Sequence, residues 1–454
     1  MSERTNVVWI MSDQHACFAS GCYGHPVVRT PHIDALCREA MRFDAAYTSA
    51  PQCIPARDSM LSGRYPHWFP EHWTMAPDAP TAAHLFRQAG YVTAHVGKMH
   101  PFSPYTRGFD YLVDMGHYYD YLGPLTEVFT RGMDACDSGC GSPWMDGWYR
   151  AKSWLGEPLR DGLPELLDEP DHFEAFVART CDAFLDEHQD GPFFLQASFI
   201  KPHYPQVSPP EYHALYSADE MELPATAFDW DVVPLSQRRW LMTDLRSPEG
   251  AGKARQRMAD YYAATTYMDE CLGRITASLK RRGLWDNTVV VYTADHGEML
   301  YHHGLIQKFL FFEQSARVPL IVRAPGVTPA GSATSALADL TDLLPTMLSL
   351  CGVPPTAGFD GVDLSPVLGG RSDSVRDLCF SRMGQSTMVR SARWKLCHYP
   401  AVEEAMDDEW YLFDMQADPE ECTNQFAAQT GNPDVQRLRE RLLIFETEGQ
   451  GRSE

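Results

Sequence analysis

NVVWIMSDQ, residues Asn6 to Gln14, is an apolar, partly β-branched run that stops abruptly at a carboxylate and an amide. Its apolar residues do not alternate with polar ones, which is the pattern of a strand buried on both faces of a parallel sheet. Four further runs of the same kind lie downstream: YVTAHV (Tyr91–Val96), FFLQASFI (Phe193–Ile200), TVVVYTA (Thr288–Ala294) and VPLIVRA (Val318–Ala324). Between them, HIDALCREAM (His32–Met41), TAAHLFRQAG (Thr81–Gly90), HFEAFVARTCDAFLDEH (His172–His188) and the segment from Arg255 to Arg282 space their apolar residues as helices do. Strands alternating with helices predict an α/β fold: a large mixed, mostly parallel sheet flanked by helices on both faces.

Two segments break that rhythm. Residues 101–170 are rich in Tyr, Trp, Gly, Pro and Asp and read as an insertion near the pocket. Their rings would either form a pocket for an aromatic or cationic group or simply pack the insertion. After about residue 365, LCFSRM, STMVRSARWKLCHYP and EWYLFDM read as short antiparallel strands, followed by a helix near VQRLRERLLIFE. The expected organisation is a catalytic α/β domain over 1–365 and a smaller C-terminal α+β domain over 366–454.

With 454 residues, 44% of them hydrophobic, the chain can bury a large core. Its formal net charge of -23 disfavours nucleic acid and anionic membrane surfaces as partners. The apolar stretch Val7–Met11 is too short for a signal-peptide core and no run approaches a membrane span, so a cytoplasmic protein is expected. An oligomer is compatible with the sequence. The twelve cysteines are scattered, and Cys271, Cys351, Cys379 and Cys397 sit in apolar settings as buried free thiols do. Cys136 and Cys140 could pair or bind metal, but no second Cys/His pair stands at zinc-finger spacing.

Polar residues gather just after the predicted strands. Asp13 and Gln14 follow the first, Lys98 and His100 the second, Lys201 and His203 the third, and Asp295 and His296 the fourth. Ligands of open α/β sheets bind at the carboxyl ends of the strands. One Asp after a strand is most often a helix cap; four such ends together point to a site. Asp13, Gln14 and Asp295 offer oxygen and His296 offers nitrogen. An all-oxygen set suits Ca²⁺ or Mg²⁺, and one imidazole moves the preference toward Mn²⁺.

The most specific segment is SAPQCIPARDSMLSGRYP, from Ser49 to Pro66. Its Cys53-Ile54-Pro55-Ala56-Arg57 resembles the signature Cys-x-(Pro/Ser)-x-Arg of the type I sulfatases, in the alkaline phosphatase superfamily, and Leu61–Arg64 extends the likeness. Gly97–His100, Lys201–Pro205, Thr293–Glu298, Lys308, Tyr411–Asp414 and Asp418–Glu420 resemble further motifs of that family, so the likeness covers nearly the whole chain.

The resemblance implies hydrolysis of small-molecule sulfate esters. It implies that a maturation enzyme oxidises Cys53 to formylglycine, whose hydrated diol attacks sulfur and later expels sulfate. It implies one divalent ion, Ca²⁺ or Mn²⁺, held by Asp13, Gln14, residue 53, Asp295 and His296. Arg57 would support the alkoxide, Lys98 and Lys308 would hold the sulfate oxygens, His100 would contact the diol, and His203 would protonate the leaving oxygen. A helix predicted over Pro55–Leu61 would aim its amide dipoles at residue 53. Many members carry Asp-Asp and Asp-Asn where this chain has Asp13-Gln14 and Asp295-His296. That combination resembles the branch with choline sulfatases and phosphonate monoester hydrolases. Hydrolysis of phosphonate monoesters or phosphate diesters is therefore the alternative reading, and a binding protein that kept the fold is the third.

Overall fold

The computed structural model describes residues 4–448 apart from 70–72, 77, 100–106, 124–168, 205, 355–357 and 402–406. His100, Cys136, Cys140 and most of the 101–170 segment lie outside the described residues. The strands of the large sheet are β1 (Asn6–Asp13), β2 (Met41–Tyr47), β3 (Val92–Gly97), β4 (Tyr111–Val113), β5 (Phe193–Pro202), β6 (Thr288–Ala294), β7 (Leu320–Arg323) and β8 (Ser332–Asp339). Their order is β4-β3-β5-β1-β6-β7-β2-β8. Only β7 runs against its neighbours β6 and β2, so the sheet is mixed and mostly parallel, as expected.

β1 lies at the centre, paired in parallel with β5 and β6, and every one of its residues is buried. The strand period of two sends Val7, Trp9 and Met11 to one face and Val8 and Ile10 to the other. The first face meets helices α2 (Cys53–Ser62), α3 (Ala82–Gln88) and α6 (Leu343–Leu350). The second meets α1 (Pro31–Arg38), α4 (Phe173–Glu187) and the long α5 (Pro248–Arg281). This double burial is why the sequence shows a continuous apolar run, each side chain of which contributes roughly 1.5–3 kcal/mol.

A separate four-stranded antiparallel sheet, β12-β11-β10-β9, holds β9 (Cys379–Met383), β10 (Ser386–Arg390), β11 (Trp394–Tyr399) and β12 (Glu409–Asp414). Cys379, Met388, Cys397 and Phe413 pack it onto Phe311 and Phe312 of the main body. Phe380, Val389 and Leu412 pack its other face onto α7 (Pro433–Glu448).

Three expectations shift. STMVRSARWKLCHYP is not one strand but the pair β10 and β11, reversing through Ser391–Arg393. The helix at the signature starts at Cys53, two residues before the expected Pro55. Strands β2, β4 and β8 were not anticipated; the outer half of β8, Ser332–Ser335, alternates half-buried and exposed small residues, three of them hydroxylated, at the sheet edge and so carries no apolar signal. Among the described residues, no helix is long and apolar enough to cross a membrane. The ten cysteines among them are free.

Candidate active site

The strand ends β1, β3, β5 and β6 bring their polar residues to one edge of the sheet, around the start of α2. Nine of the ten residues of α2 are buried, so it is enclosed on all sides rather than amphipathic. Gln52 at its N-cap makes no side-chain cap, so the amide end of the helix is open toward residue 53. Gly63, at φ 68°, closes the helix in the left-handed conformation.

Cys53 is the hub. Its Sγ lies 3.2 Å from His296 Nε2, 3.2 Å from Lys308 Nζ, 3.6 Å from Asp13 Oδ1 and 4.0 Å from Lys98 Nζ. Burial, then Asp13, would raise its thiol, but Lys308, Lys98 and His296 outweigh them and hold it well below the ordinary cysteine value. Such a sulfur sits in a basic pocket within an acidic protein, as an anion-binding site requires.

Asp13 ends β1 and is fully buried. Its Oδ2 lies 2.6 Å from Lys98 Nζ and accepts from Arg57 Nη2 at 2.9 Å. Burial would raise its carboxyl, but Lys98, His203, Arg57 and Lys308 hold it well below the usual carboxylate range. Asp295, after β6, accepts from Arg57 Nε at 2.8 Å through Oδ2. Burial and then Asp13 push it up, to about 6, against His296 and Arg57. The remaining Arg57 donor serves the Lys98 carbonyl (2.6 Å) and the Ser198 hydroxyl (2.8 Å). The hydrogen bonds of Arg57 therefore go to the two carboxylates and their supports.

Gly97 makes the turn that delivers Lys98. It adopts φ 113°, and a Cβ there would lie 1.9 Å from the Ser198 carbonyl oxygen. His203 follows β5, and its N–H donates to the Asp13 carbonyl at 3.1 Å. Its Nδ1 faces the Tyr204 carbonyl at 2.6 Å and so must donate, which leaves Nε2 toward the site, 3.8 Å from Asp13 Oδ1. Burial, then Lys308 and Lys98, lower this imidazole to about 3. Lys308 Nζ donates to Gln14 Oε1 at 2.9 Å. Of the residues singled out from sequence, Asp13, Gln14, Cys53, Arg57, Lys98, His203, Asp295, His296 and Lys308 are brought together. The backbone N–H of Lys201 donates to Glu174 on α4 at 3.0 Å.

Asp13, Cys53, Asp295 and His296 each turn one donor atom inward, all within 4.8 Å of one another. His296 Nδ1 donates to the Gly297 carbonyl at 2.9 Å. Burial would lower this imidazole, but Asp295 outweighs that and raises it, so only where an ion takes the place of the Nε2 proton does Nε2 present a lone pair. Nε2 faces Asp295 Oδ1 at 3.5 Å and Asp13 Oδ1 at 3.8 Å. Acceptors converging in a buried space repel unless a cation lies between them, so these residues fit a divalent ion. Three neighbours escaped notice in the sequence: Ser198, whose hydroxyl links Arg57 to the Lys98 carbonyl; Tyr204, whose ring stacks on His203 at 4.1 Å; and Glu298, a fully buried carboxylate. A charged residue inside the otherwise buried TADHGE segment was the available signal for Glu298.

A family model described as Sulfatase matches residues 5–353, and one described as N-sulphoglucosamine sulphohydrolase, C-terminal, matches residues 301–448. A choline-sulfatase of Rhizobium meliloti is 32% identical, across 93% of this chain and 82% of its own. An N-acetylglucosamine-6-O-sulfatase of Bacteroides thetaiotaomicron is 28% identical, across 94% of this chain and 83% of its own. A solved phosphonate monoester hydrolase of Agrobacterium radiobacter shares the fold, with a TM-score of 0.78 at 24% identity over 98% of this chain and 96% of that one.

Proposed function

This chain belongs to the sulfatase family, and from that premise we propose that it is a sulfuric ester hydrolase whose nucleophile derives from Cys53, converted to formylglycine by a maturation enzyme. The observation that carries the reading is the position of Cys53 at the open N-terminus of α2, between Lys308, Lys98 and the acceptors of Asp13 and His296. Asp13, Gln14, Asp295 and His296, with residue 53, would hold one divalent ion, Ca²⁺ or Mn²⁺, the imidazole favouring Mn²⁺. Such an ion, when bound, lowers the pKa of a coordinated hydroxyl and neutralises developing charge.

The other roles fall to the chain's own groups. Arg57 spans Asp13 and Asp295 and keeps both carboxylates turned to the site. Lys98 and Lys308 bind the oxygens of the transferred group, and His100 contacts the hydrated nucleophile. His203 Nε2 is the atom that delivers a proton to the leaving oxygen. Burial is the larger cause that keeps this imidazole neutral; an anion seated between Lys98 and Lys308 offsets their smaller repulsion, so arrival of the ester moves the group toward its acid form. The substrate is a small-molecule sulfate ester. Gln14, uncharged where many members carry Asp, stands beside three cations and favours a second reading, hydrolysis of phosphonate monoesters or phosphate diesters, because such a site tolerates more negative charge. We assign catalysis to residues 1–365 and a supporting role to 366–454, and place the protein in the cytoplasm, where free thiols persist.

The test is a panel of aryl sulfate, phosphonate ester and phosphodiester, run on protein produced with a maturation enzyme. Sulfate ester should turn over fastest, formylglycine should appear at position 53 by mass spectrometry, and Cys53→Ala should fold and lose turnover. Equal rates from wholly unmodified Cys53 protein would sink the nucleophile. No turnover of any ester by modified protein would favour a binding protein.

A further inference from the structure

Glu298 lies three residues beyond Asp295 and is wholly buried. Its Oε1 accepts from two backbone N–H groups, Gln307 at 2.7 Å and Leu300 at 3.1 Å. Its Oε2 meets the side-chain amide of Gln14. A carboxylate offers only acceptors, so the face of Gln14 turned to it must be the NH₂ group. Gln307 Oε1, 3.5 Å away, is a second acceptor on that side. On the opposite side stands Lys308 Nζ, which has only donors and lies 2.9 Å from Gln14 Oε1 and 3.2 Å from Cys53 Sγ. The amide is thus clamped between a carboxylate and an ammonium, and one of its two orientations satisfies both.

The clamp matters because a glutamine, unlike an aspartate, has a wrong way round. Turned over, Gln14 would aim N–H groups at the cation site and at Lys308. The backbone makes the demand sharper, since Gln14 itself is held at φ 63°, with its N–H on Asp295 Oδ1 at 3.1 Å. The same Glu298 oxygen pins a loop in which Leu300, Tyr301, His303 and Gln307 all take positive φ, just before Lys308. We propose that Glu298 is the positioning residue that sets the polarity of the Gln14 amide, so that oxygen rather than NH₂ faces the divalent ion. This rests on the reading of Asp13, Gln14, Asp295 and His296 as ligands of one ion.

The test is calorimetric titration of Mn²⁺ into the whole chain, which needs no turnover. In Glu298→Gln, the new Oε1 keeps the two backbone N–H groups and the new NH₂ faces Gln14, forcing its amide over. Mn²⁺ affinity should fall about 10–100-fold, as for other groups that orient a metal ligand. Combining Glu298→Gln with Gln14→Glu exchanges the two functional groups, restores the hydrogen bond between positions 14 and 298 and the one from Lys308 at unchanged total charge, and should return Mn²⁺ affinity to the wild-type range. A folded Glu298→Gln protein that binds Mn²⁺ like wild type overturns the proposal. So does a double variant that fails to fold or to bind, and this decides the matter if the single variant does not fold. Folded wild type that takes up neither Mn²⁺ nor Ca²⁺ would instead remove the ion itself.

Discussion

Two of the buried charge clusters among the described residues are built oppositely. At the end of β1, Asp13, Asp295, His296 and Cys53 converge acceptors on one space. Where the small sheet meets the main body, Lys395 is fully buried with its ammonium 2.7 Å from Glu313 Oε1, 2.7 Å from Glu421 Oε1 and 2.9 Å from the Phe311 carbonyl. The three N–H groups of Lys395 meet three acceptors, while Glu421 also accepts from the Glu313 N–H at 2.7 Å. The second cluster is closed: with Arg317 Nε 3.4 Å from Glu313 Oε2, two cations face two carboxylates and nothing further is needed. The first is open on one side: Arg57 and Lys98 serve Asp13 Oδ2 and Arg57 serves Asp295 Oδ2, but Asp13 Oδ1, Cys53 Sγ and His296 Nε2 still converge on a space that a cation from outside the chain would fit. Buried charge alone does not mark an active site; buried charge left incomplete does.

The sharpest way to break this contrast is to damage each cluster and read both stability and rate. Lys395→Met leaves Glu313 and Glu421 buried without their shared partner and should cost about 3–5 kcal/mol of stability. The protein that remains folded should keep nearly its wild-type kcat; chemical denaturation and active-site-normalised rates measure the two. Lys98→Ala should do the reverse, with kcat lower by about 10²–10³ and a smaller loss of stability than Lys395→Met, because Arg57 still pairs with Asp13. Its penalty should not depend on the leaving group, whereas His203→Ala should slow alkyl esters far more than nitrophenyl esters. Equal leaving-group dependence in the two variants would mean that the acid is another residue.

The open cluster should also respond to what it lacks. Saturating Mn²⁺ or Ca²⁺ should raise the thermal midpoint, by the equivalent of about 2.7 kcal/mol at a hundred times Kd, and chelation should reverse it. Asp13→Asn should abolish the shift and Lys395→Met should keep it. The smallest effect is expected far from both clusters. His398 on β11 meets Glu446 of α7 at 2.8 Å and Asp408 at 3.3 Å. Burial lowers its imidazole, but Glu446 and then Asp408 outweigh that and raise it above 6.5. A raised folded value means the contribution to stability is full below about 6.5 and fades as pH rises through the folded value. The thermal midpoint of wild type should therefore exceed that of His398→Gln most at acidic pH. A gap that widens toward alkaline pH would show the sign to be wrong.

Much of the site was legible because strands announce themselves by apolar runs and ligands gather where those runs stop. Asp13, Lys98, His203 and Asp295 were found that way. Glu298 and Ser198 were not, since each acts through a neighbour remote in sequence, Glu298 through Gln14 and Ser198 through Arg57; Tyr204 stands beside His203 in the chain, but its stacking on that ring is set by side-chain geometry. Nor could spacing reveal that the guanidinium of Arg57 is spent on two carboxylates, 44 and 238 residues away.

What the sequence by itself determined is which residues arrive at the carboxyl edge of the sheet and what chemistry they bring, because strand periodicity and the Cys53 signature are local properties of the chain. What only the tertiary structure decided is how those groups pair. Lys98, Lys308 and Arg57 reach Asp13 and Cys53 from separate elements, and burial removes the water that would otherwise screen them. That is why Asp13 is held low, Asp295 is pushed to about 6 and His203 falls to about 3 in one small space.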